Sequence, residues 1–141
     1  MKKVAAAGSS LPGIDKTIHD AFELGRAAIV AKDYKLRDEQ ALIVKANLSK
    51  VIGRKAADYL RSGAKEITDG NWANAHHALS EGYGFILSLQ YTMDPDTGAP
   101  YYSNTQVKNM LDTFDSGNGF WDQKPDDLIK MAEDIETNFK F

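Results

Sequence analysis

His77 and Glu81 are the residues of this 141-residue chain whose types and spacing point most directly to chemistry. Four positions apart on a helix, they are neighbours on one face. An imidazole beside a carboxylate is common material for a divalent-metal site. A Glu buried without a partner is costly, so it must be paired, metal-bound or protonated. Three readings follow. The pair is a satisfied buried polar pair, bonded internally or to an Arg or Tyr of the preceding helix. Or it supplies two ligands of a metal or small polar site. Or it is exposed. His76 points about 100° away from His77 on a helix. Its place on an apolar stripe reads as a core histidine before it reads as a third metal ligand.

Other chemistry-bearing spacings are weaker. His19 and Glu23 are also four apart but sit amid solvent-type residues. Asp94-x-Asp96-x-Gly98 has part of a calcium-loop pattern but lacks the later acidic ligands, including the Glu at the twelfth position, and reads as a turn. Asp115-Ser116-Gly117-Asn118-Gly119 reads the same way. The Glu-x-x-His pairs of di-iron bundles are missing from the sequence. So are Gly-x-Ser-x-Gly and phosphate-cradling glycine loops. Tyr91, Tyr101 and Tyr102 with Phe120 and Trp121 read as packing under a loop.

Five helices must position these residues. The first spans about Leu11 to Lys32, with Ser9 or Ser10 as cap and Pro12 in its first turn. Its stripe is Ile14, Ile18, Ala21, Phe22, Gly25, Ala28 and Ile29. The second spans about Asp33 to Ala64, on a stripe of Leu42, Leu48, Ile52, Ala56, Tyr59 and Leu60. Asp69-Gly70-Asn71 is a turn and cap. The third, about Asn71 to Tyr91, carries Trp72, His76, Leu79, Tyr83, Ile86 and Gln90 on one face. The fourth opens on a capping box, Ser103 with Gln106. The fifth starts at Pro125, with Asp126 and Asp127 where the helix dipole favours acids. The sequence shows no β alternation and no repeat. The expected fold is all-α, an antiparallel bundle of four to five helices forming a single domain over residues 1–141.

The third helix is unusual in its charge. No Lys or Arg occurs between Lys65 and Lys108, and Glu81 is the one formal charge between Asn71 and Met93. The face away from its stripe holds Ala73, His77, Glu81, Gly84 and Ser88. So few charges predict a helix buried on most sides. If the chain's own helices cannot surround it, a homodimer through this helix is expected.

Composition bounds the rest. The chain has no cysteine, so no disulfide and no thiolate chemistry. Net charge is −3, with 17 basic and 20 acidic residues, which argues against nucleic-acid binding. No apolar run approaches the roughly 20 residues that span a membrane. The opening Met1-Lys2-Lys3-Val4-Ala5-Ala6-Ala7 imitates a signal peptide with too short an apolar stretch. The chain as written is expected to stay in the cytoplasm.

Three stretches together carry a resemblance. They are Gly25-Arg26-Ala27-Ala28-Ile29 with Lys32-Asp33-Tyr34 and Arg37-Asp38; His77-Ala78-Leu79-Ser80-Glu81 with Gly84-Phe85 and Ser88-Leu89-Gln90; and Gly117-Asn118-Gly119-Phe120-Trp121 with Asp126-Asp127-Leu128 and Ile135. They resemble the C-terminal part of a family of bacterial exported, often lipid-anchored proteins of unknown function, distantly similar to the imelysins. The resemblance implies a truncated member of a periplasmic or outer-membrane-anchored family. Imelysin-like proteins are helical bundles tied to iron uptake, with a Gly-x-His-x-x-Glu motif proposed to bind metal. The spacing here is His77-x-x-x-Glu81, and no Gly stands two residues before His77.

The sequence therefore leads to a noncatalytic helical binding or scaffold module with a buried polar site at His77 and Glu81. The alternative is a metal-dependent hydrolase using that pair, with a divalent metal as cofactor and His76 as further ligand. A small molecule or a metal ion is the kind of ligand either reading would take.

Overall fold

The structure is a computed structural model. It describes residues 2–6 and 9–141 and is helical, with no strand among them. Its elements are α1 (Lys2–Ala5), α2 (Ile14–Val30), α3 (Tyr34–Thr68), α4 (Trp72–Ser88), α5 (Asn104–Asp115) and α6 (Pro125–Phe139). Single 3₁₀ turns occupy Leu89–Tyr91 and Gly119–Asp122. Of the opening stretch, Met1 and Ala7 lie outside the described residues. No helix among the described residues is long and apolar enough to cross a membrane.

The ends follow local chemistry. The Asp33 side chain accepts the Leu36 N–H at 3.0 Å and starts α3. Ser103 and Gln106 form the reciprocal capping box. Pro125, Asp126 and Asp127 open α6. Helix α2 starts later than Leu11. Gly13 takes a left-handed φ of 76°, and Ser9 donates its hydroxyl to the Val4 carbonyl instead of capping α2.

Helix α3 is the spine. Its 35 residues span about 52 Å at 1.5 Å per residue. The C-terminal half carries α4 on one side and α6 on another, both antiparallel to it. Two helical glycines make the close approach possible. A Cβ on Gly53 would lie 2.7 Å from the Phe139 ring, and one on Gly63 would lie 2.7 Å from Leu79. The main core forms here, around Leu60, Leu79, Ile86, Phe114, Leu128 and Ile135. Arg54 and Arg61 of α3 both reach Glu136 of α6.

The N-terminal half of α3 has a thinner environment. It pairs with α2 as a hairpin, turning at residues 31–33. Ala21 and Ala28 of α2 are buried, and the ideal Cβ of Gly25 lies 3.3 Å from Gln40, so the two backbones run close. A second, small cluster of Ala5, Ile14 and Ile18 closes the base of this hairpin. This corrects two expected stripes. Phe22 and Ile29 are 58% and 53% exposed, and Leu42 and Leu48 also face solvent. The helices are amphipathic as expected. Along most of the hairpin each has one long helical neighbour, the other, so one packed line per helix is buried and the flanking apolar residues are left open.

Candidate functional site

Helix α4 places His77 and Glu81 on one face, as their spacing requires, but that face is open. His77, Glu81, Ala73 and Gly84 are all exposed. The expectation of a buried polar site, and of an α4 covered on most sides, is therefore corrected. Helix α3 covers the Leu79–Ile86 side, and nothing among the described residues packs over the other. An added Cβ on Gly84 would meet no atom within 4 Å. The low charge of α4 thus reflects small and hydrogen-bonding residues in solvent. Phe85, at the margin of this face, is partly buried and stacks on Tyr59 with ring centroids 5.6 Å apart.

The three expected ligands do not converge on one point. His76 lies on the core side, half-buried among aromatic rings. Its ring centroid is 4.3 Å from that of Trp121 and 6.0 Å from that of Phe120. Trp72 stands edge-on to it at 6.2 Å. The buried His76 Nε2 has no hydrogen-bond partner. It is the orphan polar atom of an aromatic niche, turned away from His77 and Glu81.

Among the described residues, the cluster of three metal-capable donors is His19, Asp20 and Glu23, all exposed on α2. Asp20 already accepts Lys16 Nζ at 2.5 Å, and His19 Nδ1 stands 3.9 Å from Glu23. This is a solvated helix face. The Asp94–Gly98 segment is a turn, as its sequence indicates. The Asp94 side chain accepts the Asp96 N–H at 2.9 Å, and its carbonyl accepts the Gly98 N–H at 2.7 Å.

A more apolar recess lies on the hairpin. A groove of about 330 Å³ runs between α2 and α3. Ala21, Gly25, Gln40 and Val44 are among its less exposed lining residues and form its floor. On α2 the wall is Phe22, Arg26 and Ile29, spaced by four and three residues on one helical face. On α3 it is Arg37, Ala41 and Lys45, spaced by four. The lining is apolar with a cationic rim and contains no acid. Arg37 is tied to Asp38 through Nε at 2.8 Å and stacks over the Tyr34 ring at 5.1 Å. Arg26 and Lys45 are exposed and make no ion pair among the described residues.

Sequence reasoning named Phe22, Gly25 and Ile29 but took them as core, and it set Arg26 and Lys45 off the apolar stripes without giving them a role. A signal was present. An apolar stripe as wide as Ala21, Phe22, Gly25, Ala28 and Ile29 needs two long neighbouring helices, and among the described residues α3 is the one that packs along α2.

A family model described as "Domain of unknown function (DUF4856)" matches residues 2–141. No curated protein and no solved structure matches the chain.

Proposed function

The chain belongs to this DUF4856 family, whose description assigns no activity, and we propose that it is a noncatalytic, single-domain helical binding module whose working surface is the α2–α3 hairpin. One observation carries the reading. Twelve large apolar residues are exposed among those described, and eight of them lie between Phe22 and Leu48. Phe22 and Ile29 of these line the groove, and exposed apolar surface beside a recess marks interaction sites on soluble proteins. A hairpin held at its base, with an apolar groove towards its turn, is suited to receive a further element.

The hydrolase alternative has less to support it. His77 and Glu81 stand in solvent on one helix, and among the described residues no third His, Asp or Glu joins them as a cluster. Catalytic zinc sites use about three protein ligands. Self-association through α4 is also less supported, since that face is mostly small and polar; of the large apolar side chains at its margins, Phe85 is partly buried against Tyr59 and Leu87 is exposed. Likeness to the imelysins remains a resemblance of short stretches, and the groove reading does not depend on it.

The test uses anilinonaphthalene sulfonate, an anionic apolar dye. The folded parent should bind it with a fluorescence rise, and Phe22→Ser with Ile29→Ser should abolish the rise. The double variant should melt within a few degrees of the parent, because both side chains are already in water. A parent that binds no dye rejects the reading. So does a double variant that unfolds, which would make these residues core.

A further inference from the structure

We infer that the occupant of the α2–α3 groove is an acidic amphipathic helix of a partner protein, laid along the hairpin as a third helix. The inference rests on the docking reading above and adds the chemistry of the partner.

The groove sets three requirements. It is lined from Ala21 to Ile29 on α2 and from Arg37 to Lys45 on α3, about 12 Å of helix, so it engages about two to three turns of an incoming helix. Its floor and the Phe22 and Ile29 side chains require an apolar stripe at i, i+3, i+4 and i+7, the pattern by which a helix docks in a groove. Its rim requires negative charge. Arg26 stands on the α2 wall and Lys45 on the α3 wall, and neither has an acidic partner among the described residues. Carboxylates flanking the incoming stripe would meet a cation on each side. Gln40 is the one uncharged polar side chain of the lining, and the rest of the floor is apolar.

A second copy of this chain fits less well. Twofold packing of the groove on itself sets a wall carrying Arg26 or Lys45 against its own copy, and like charges face one another at the cost of the pairing. A basic or neutral helix leaves both cations uncompensated at the edge of an apolar contact.

The experiment follows amide shifts of the full chain by ¹⁵N–¹H NMR while peptides of about 18 residues are added, a length that spans α2. One peptide has a Leu stripe flanked by Glu, and a second has the same stripe flanked by Lys. The Glu peptide should bind saturably, with the largest shifts at Phe22–Ile29 and Arg37–Lys45, and at least about tenfold tighter than the Lys peptide. Raising salt from about 0.05 to about 0.5 M should erase most of that preference by screening. Arg26→Glu with Lys45→Glu, both at exposed positions, should reverse it without lowering the melting temperature.

Equal binding of the two peptides, or stronger binding of the Lys peptide, overturns the inference. Shifts that map away from the hairpin do so as well. A parent that dimerises in light scattering and becomes monomeric in Ile29→Glu gives the groove to a second copy, and the acidic partner falls. If the dye binds and neither peptide does, the acidic-helix inference fails while the docking module stands. If neither dye nor peptide binds, both fail together.

Discussion

Arg61 and Glu136 form a two-point clasp between α3 and α6. The Arg61 Nε donates to Oε1 at 3.1 Å and Nη2 to Oε2 at 2.6 Å. Arg54 adds a third bond to Oε1 at 2.7 Å, while also holding Asp58. The Glu136 carboxyl is held below its ordinary value, first by the Arg61 hydrogen bonds and then, against its partial burial, by those from Arg54. The sign of the linkage follows. A carboxylate whose folded value is depressed contributes stability above the unfolded value of about 4.3, and loses it as pH falls through the lower folded value.

Glu136→Gln should therefore lower stability at neutral pH by about 1–3 kcal/mol, the scale of hydrogen bonds to a charged group. The difference from the parent should narrow as pH falls below about 4. Thermal melts of both proteins at several pH values measure it. A gap that stays constant down to pH of about 2 would separate the clasp from the acid stability of the fold.

Two glycines inside α-helices, Gly53 buried and Gly84 exposed, should behave oppositely. Gly53→Ala sets a methyl 2.7 Å from Phe139 and forces α6 away, at a cost of about 1–3 kcal/mol. Gly84→Ala meets open space within an α-helix and should stabilise by up to about 1 kcal/mol through helix propensity. Urea titrations of the two variants compare them. If both variants shift in the same direction, the packing of α6 on α3 described above is wrong.

His76 carries a buried nitrogen with no partner. His76→Leu removes that nitrogen from among Trp72, Phe120 and Trp121, so it should be neutral or slightly stabilising. His76→Asp places a charge in the same aromatic niche and should cost several kcal/mol. Melting temperatures read both. An Asp variant that melts with the parent would put His76 in water.

Zinc, nickel or copper should leave the melting temperature of the parent nearly unchanged, since His77 and Glu81 offer two exposed donors and ligand linkage needs real affinity for the fold. His77→Ala should melt identically with and without metal. A metal-dependent rise in the parent that His77→Ala abolishes would restore a metal role to the pair.

The sequence determined what depends on near neighbours along the chain. Helix type, the Asp33 and Ser103 caps, the Asp69–Asn71 turn and the proline start of α6 rest on residues within a turn of one another, where hydrogen bonding and backbone sterics decide. It also placed His77 beside Glu81 and apart from His76, because helical spacing alone does that. Burial was decided elsewhere. Whether Phe22 and Ile29 are core or surface depends on how many helices surround α2. Whether His77 and Glu81 are hidden depends on what packs over α4. Those are counts of partners distant in sequence, and a single apolar stripe looks the same with one neighbour or two. Gly53 and Gly63 show the reverse case. In the sequence they are unfavourable residues inside a long helix, and only the approach of Phe139 and Leu79 to their missing side chains gives them a purpose.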